Sequence, residues 1–215
     1  MGPDQSQIAV ISYSDDAQID VKFGQYSNVN DFNAAVDSVK HQRQRTRIDK
    51  ALHLAATRLF TPEGGARPNV AKVMVILTDG KQTVMSDSKK LDVAVRPLQD
   101  MNVTIFAVGV GNAIDIEELL LLVGNNVENL FRAQNFNELA KDSLRVASQT
   151  CKRIKPPTGE TVSLAPHGIS ILIGRRHGDL MEVWVRAGSL CIISSFVVRV
   201  LVVVDAGVAF VGQDS

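Results

Sequence analysis

The stretch that most limits what this chain can fold into is Lys72-Val73-Met74-Val75-Ile76-Leu77-Thr78-Asp79-Gly80. Val73 to Leu77 is an unbroken apolar run with no polar alternation. A strand of that kind needs apolar cover on both faces, which is the situation of a central strand in a parallel sheet flanked by helices. The run stops at Thr78-Asp79-Gly80, where Gly80 permits an immediate turn and Asp79 is left at the carboxyl end of the strand. In open α/β sheets ligands bind at that edge. On spacing alone, Asp79 is equally a metal or substrate group and a cap for the following loop.

The rest of the chain repeats the alternation of strand and helix. Gln7 to Ser14 reads as a strand. Gln18 to Phe23 alternates polar and apolar, as an antiparallel edge strand with one wet face does. Phe32, Ala35, Val36 and Val39 have helical spacing, with Asn30 or Asp31 as the cap. Ile48 to Phe60 is an amphipathic helix on the face of Ile48, Leu52, Ala55 and Leu59. Residues 61–69 hold Pro62, Gly64, Gly65 and Pro68 and form a loop. Leu91, Val95 and Leu98 mark another helix, interrupted or ended near Pro97. Asn102 to Val108 is a second buried strand closed by a Gly109-Val110-Gly111 turn, which lacks the third glycine of a dinucleotide fingerprint. Asp115 and Glu118 make a capping box for the next helix, and Asn135 with Glu138 another, around a short strand at Asn129 to Ala133. Such alternation predicts a doubly wound, three-layer α/β sheet, mostly parallel with one antiparallel edge strand.

After Cys151 the composition shifts. Lys152 to Pro166 is a basic, proline-containing linker, and a β-rich extension follows, with strands at Ile169 to Ile173 and Glu182 to Arg186. Ser189 to Phe210 is apolar but carries Arg199 and Asp205, which are costly inside a bilayer, so it reads as strand and no membrane span is expected. The 23 Lys and Arg balance 23 Asp and Glu, which removes the electrostatic case for nucleic acid or an anionic membrane. Cys151 and Cys191 have no metal spacing and no disulfide framework, and the N-terminus lacks the basic and apolar regions of a signal peptide.

Gly2-Pro3-Asp4 leading to Ile8-Ala9-Val10-Ile11-Ser12-Tyr13-Ser14-Asp15-Asp16, Thr46 before Lys50-Ala51-Leu52, Val75-Ile76-Leu77-Thr78-Asp79-Gly80, Ile105 to Gly111 and Phe136-Asn137-Glu138-Leu139 together resemble a von Willebrand factor type A domain of the collagen and matrilin kind. The resemblance spans residues 1–151, leaving 152–166 as linker and 167–215 as an extension of unknown kind. That family holds a divalent metal with an Asp-x-Ser-x-Ser loop after its first strand, a Thr in a second loop and an Asp in a third. By resemblance Thr46 matches the second loop and Asp79 the third. The first strand, its loop and its first helix have no counterpart here, and no Asp-x-Ser-x-Ser occurs in the chain. The metal site is therefore incomplete and magnesium binding weak or absent, since Mg²⁺ demands six hard oxygens. Thr46 is equally an N-cap, with Asp49 completing a T-x-x-D box. Arg43, Arg45, Arg47 and Lys50 suit a sulfated sugar or acidic partner, although a short basic run is more often a solvated face.

The absent strand is a central one in the family, so its place needs filling. The best candidate is Val197 to Ala209, inserted parallel to its neighbours, which brings Asp205 beside Thr46 and Asp79. The implied function is non-enzymatic adhesion to an extracellular protein such as collagen or another matrix protein, in a secreted setting. The rivals are a truncated or spliced fragment without independent activity, and a magnesium-dependent hydrolase using Asp79.

Overall fold

The computed structural model describes residues 7–39, 45–139, 169–176, 180–187, 194–195 and 200–206. Strands β1 (Gln7–Tyr13) and β2 (Ala17–Val21) precede helices α1 (Val29–Asp37) and α2 (Ile48–Leu54), then β3 (Ala71–Thr78), α3 (Leu91–Asp100), β4 (Val103–Val110), α4 (Ile116–Leu122) and β5 (Leu130–Ala133). Strands β6 (Ile169–Arg176), β7 (Leu180–Ala187), β8 (Ser194–Ser195) and β9 (Val200–Ala206) follow. The apolar run is the core of β3, and Val73 to Leu77 are all buried. Strands β3, β4 and β5 are parallel, β2 is the antiparallel edge strand expected, and the main sheet runs β2-β1-β9-β3-β4-β5. Strands β6, β7 and β8 form a separate antiparallel sheet.

Alternation along the strands divides the core. Ala9, Ile11, Tyr13, Met74, Ile76, Ile105 and Ala107 pack with the inward residues of α2, α3 and α4, including Ile48, Leu52, Leu98 and Leu119. The alternate residues Val10, Val73, Val75, Phe106 and Val108 are buried as well, as strands covered on both faces require. Phe106 stacks against Phe131 of β5, with ring centroids 6.3 Å apart.

The tail strand does enter the gap. Val200 to Asp205 pair with Ser12 to Gln7, and Leu201 to Ala206 with Ile76 to Ala71. Its direction corrects the expectation: β9 is antiparallel to both neighbours. Val200-Leu201-Val202-Val203-Val204 reads much the same in either direction, so its side-chain pattern does not specify orientation. Antiparallel pairing is also slightly the more stable arrangement per residue.

Smaller corrections have local causes. Helix α1 is capped by Asn28, whose side chain accepts from Asp31 N at 3.0 Å, not by Asn30 or Asp31. The helix from Ile48 is α-helical only to Leu54 and widens to a π-turn over Ala55–Leu59. Helix α3 runs through Pro97. The hydrogen bond that Pro97 lacks would go to Val93, on the exposed side of the helix where water substitutes. Gly109 lies inside β4 rather than in a turn, paired with Thr78 and Arg132. A Cβ there would stand 2.7 Å from the side chains of Ile114 and Leu119, so glycine admits α4 to the sheet. The turn belongs to Gly111, at φ 84°.

Candidate functional site

Because β9 is antiparallel to both β1 and β3, those two strands run the same way, and their carboxyl ends meet at one edge. Beyond the first residue of β9, the Tyr13 hydroxyl donates to Leu77 O at 2.8 Å and bridges β1 to β3 directly. At this edge Thr46 and Asp79 lie in adjacent loops. Thr46 is buried. Its N–H donates to Thr83 Oγ1 at 3.2 Å and its carbonyl accepts from Thr83 N at 2.8 Å, so the segment before α2 is paired to the loop after β3. The cap of α2 is Arg47, without a side-chain bond, which corrects the T-x-x-D box at Thr46. Asp79 is half-buried, just after Thr78, whose hydroxyl donates to Gly80 O at 2.8 Å and closes a tight side-chain turn.

Asp205 is placed elsewhere. Its backbone registers with Gln7 and Lys72, at the amino end of β1 and β3, so the antiparallel insertion carries it to the edge opposite Asp79. Cys151, Cys191 and Arg43 lie outside the described residues.

The most developed polar structure at the carboxyl edge centres on Arg47. Its guanidinium is buried and makes a bidentate pair with buried Asp49, Nε and Nη2 each 3.0 Å from a carboxylate oxygen. Nη1 reaches exposed Asp87 at 2.9 Å. Gln82 Nε2 donates to Asp49, while Gln82 Oε1 accepts from Ile48 N at 2.7 Å and Asp49 N at 3.3 Å, doing the work of a helix cap. Lys89 N donates to Asp49 Oδ2 at 3.1 Å. Gln82 N donates to Glu118 Oε2 at 2.7 Å, so Glu118 reaches across to the β3–α3 loop instead of closing the expected capping box. The other half of that box is present: Asp115 accepts from Glu117 N and Glu118 N. One guanidinium, one amide and three carboxylates thus bind α2, α4 and the loop after β3 into a unit.

The basic run is accordingly not a free cationic patch. Arg47 is enclosed, Arg45 pairs with Asp15 at 3.4 Å, and Lys50 Nζ donates to Asp15 O at 2.9 Å. Sequence reading missed the Arg47 cluster because its partners lie far along the chain. The one local signal was the Arg-x-Asp spacing of Arg47 and Asp49.

Burial raises the proton affinity of Asp49, but hydrogen bonds from Arg47, Gln82 and Lys89 N outweigh it and hold its carboxyl below the ordinary range. Burial pushes Glu118 up, against its bond from Gln82 N. Asp20, also raised by burial against bonds from Ser12 and Gln18, occupies a bulge in β2 opposite Val10 and Ile11. The signs differ. Asp49 contributes stability that is present above the unfolded carboxylate value of about 3.9 and is lost as pH falls through its lower folded value. Asp20 and Glu118 favour the fold more as they take up protons. Acid titration followed by circular dichroism should therefore show a loss of stability beginning below about pH 4, and Asp49→Asn should flatten that part of the slope.

Among the described residues, the side chains at this edge that could face a divalent ion are Thr46, Asp79 and Ser14. Thr46 and Asp79 offer one hydroxyl and one carboxylate. The buried Ser14 hydroxyl, with no hydrogen-bond partner among the described residues, is one residue beyond β1. Ser14 O accepts from Arg47 N at 3.0 Å, which places it against the same loop. Among the described residues no group of three His, Cys, Asp or Glu side chains gathers as a metal site. A hydroxyl pair and one carboxylate fall short of the six oxygens Mg²⁺ requires, and more waters would have to complete the shell.

Comparison with known proteins accounts for the architecture. The chain is 29% identical over 154 residues to matrilin-1 of Gallus gallus, covering 71% of this chain and 30% of that protein. It is 36% identical over 156 residues to the collagen alpha-5(VI) chain of Mus musculus, covering 70% of this chain and 6% of that one. The chain therefore spans less than a third of either relative. Among solved structures it superposes on proximal thread matrix protein 1 from the mussel byssus with a TM-score of 0.62 and 29% identity, over 70% of this chain and 36% of that one. A second structure of the mussel protein, described as having a zinc-occupied MIDAS motif, superposes with a TM-score of 0.60. The von Willebrand factor type A profile itself matches residues 1–144. With the sheet order, the Thr46 and Asp79 loops and this match over most of its length, the chain belongs to the von Willebrand factor type A domain family.

Proposed function

We propose that the chain is a non-enzymatic binding module for an extracellular matrix protein, engaging it through the carboxyl edge of the sheet without a tightly held metal. The observation that carries this reading is the buried Arg47–Asp49–Gln82 cluster. It holds together loops at the same edge where Thr46 and Asp79 supply only part of a metal shell. The guanidinium, itself neutralised by Asp49 and Asp87, crosslinks these loops through its bonds to both carboxylates. The relatives, matrilin and collagen VI chains by name, support matrix proteins such as collagen as the partner class. They support extracellular placement as well. No helix among the described residues is long and apolar enough to cross a membrane.

The test has two readings. Calorimetric titration with Mg²⁺ should give a dissociation constant no tighter than about millimolar, or about −4 kcal/mol. Binding to immobilised fibrillar collagen should be unchanged by a chelator. A micromolar constant abolished by Asp79→Ala, or chelator-sensitive binding, overturns the metal-independent reading. Saturable turnover of a generic phosphoester, lost in Asp79→Ala, would favour the hydrolase instead.

A further inference from the structure

We propose that Asn102 is the acceptor of one N-linked glycan, carried at the end of the domain opposite the binding edge. This rests on the extracellular reading above, because the modification requires passage through the secretory pathway. Asn102-Val103-Thr104 is the one Asn-x-Ser/Thr triplet in the chain, and Val103 at its centre satisfies the requirement that this position not be proline.

The structure separates the role of Asn102 in its turn from a role as acceptor. Three asparagines have left-handed backbones: Asn69 at φ 58°, Asn102 at φ 56° and Asn125 at φ 60°. All three are exposed, and asparagine tolerates this conformation better than most residues. Asn102 follows the Met101 cap of α3, with its N–H donating to Gln99 O at 2.9 Å. The turn therefore explains why an asparagine stands at each position. It does not explain the hydroxyl two residues on, which Asn69 and Asn125 lack; alanine and valine stand there instead.

Among the described residues, access is open on the outer side. Strand β5 pairs with β4 only from Ala107, and no other described strand flanks Val103 to Phe106 there. The Ile105 carbonyl is met by Asn129 Nδ2 at 3.2 Å instead. Thr104 is half-exposed on this open stretch. The position is also compatible with binding. Val103 registers with Lys72, and Gly109 with Thr78. At about 3.3 Å per residue, the strand from Val103 to Val110 holds Asn102 more than roughly 20 Å from the loops of Thr46 and Asp79. A glycan there shields the amino edge of the sheet and leaves the carboxyl edge clear.

The step is a substitution at carbon. The Asn102 amide nitrogen bonds to the anomeric carbon of the first N-acetylglucosamine of a lipid-diphosphate-linked oligosaccharide. The bond from that carbon to the diphosphate oxygen breaks, the lipid diphosphate departs with the electron pair, and the amide proton is lost to a base. No oxidation or reduction occurs.

The test is expression of the full chain behind a secretion signal in animal cells, reading both medium and lysate. The wild type should run one glycan step slow, and peptide amidase treatment should collapse that step and convert Asn102 to Asp, as seen by mass spectrometry. Asn102→Gly, which retains the left-handed turn, and Thr104→Val, which retains strand preference, should both run at the collapsed position. Thr104→Ser should keep the step. Unmodified Asn102 in wild-type chain recovered from the medium, or a step surviving both Asn102→Gly and Thr104→Val, overturns the proposal. The appended signal makes entry into the pathway independent of any sequence that precedes this chain in nature. A failure here therefore bears on Asn102 alone, while chelator-sensitive or absent collagen binding bears on the function.

Discussion

Removing residues 189–215 should unfold the domain rather than trim it, with loss of the cooperative thermal transition and aggregation on size exclusion. Strand β9 is the only bridge across the middle of the sheet over Gln7–Ser12 and Ala71–Ile76 among the described residues. Without it, the inner edges of β1 and β3 carry unpaired N–H and C=O groups in the core. Each buried, unsatisfied group costs about 1–3 kcal/mol, so a handful equals the whole stability of a typical domain, about 5–15 kcal/mol. The exposed edges would also template association between chains. Val202→Pro is the point version: it sits opposite Val10 and Val75 in mid-strand, where proline removes a ladder donor. A deletion variant that melts at the wild-type temperature would show that β9 is dispensable and the strand order in solution different.

The second large effect concerns Arg47. Arg47→Ala leaves Asp49 buried without its guanidinium partner, and breaking such a pair from one side costs about 3–5 kcal/mol. For a chain of this size that is a drop in Tm on the order of 10 °C. Urea denaturation provides the measurement. Arg45→Ala, which removes an exposed pair with Asp15, is the control and should cost no more than about 1 kcal/mol. The double variant Arg47→Met with Asp49→Leu should recover part of the loss, since it removes both charges together. Equal effects of Arg47→Ala and Arg45→Ala would mean that the cluster at the carboxyl edge is not what holds the loops.

Much of the architecture was legible because its signals are local. The run from Val73 to Leu77, the alternation in β2 and the spacing of Ile48, Leu52 and Leu59 each report burial within a single element. The filling of the sheet by residues 200–206 was legible for the same reason, since so apolar a segment has few other stable locations. What was not legible depended on distant partners or direction. The Arg-x-Asp spacing of Arg47 and Asp49 is the one signal near Arg47, and it does not tell a buried pair from a solvated one; that depends on Asp87, 40 residues on, reaching the guanidinium and on Gln82 reaching Asp49. The orientation of β9 was read by analogy with a parallel strand, and its near-symmetrical run of valines could not correct the analogy. Thr46 and Asp79 lie in neighbouring loops, while Asp205 lies at the far edge because orientation alone decides which end of a strand it occupies.

The late position of β9 in the chain bears on biogenesis. Strands β1 and β3 emerge from the ribosome long before residues 200–206 exist, and their inner edges have nothing to pair with for that interval. The partner of Gln7 is Asp205, so the sheet is closed by one of the longest-range pairings the chain allows. Loop closure of that reach precedes any reward from the contacts it makes, which slows folding. The nascent domain should therefore be a chaperone client until residues 200–206 have left the exit tunnel, holding an open apolar cleft that only then seals.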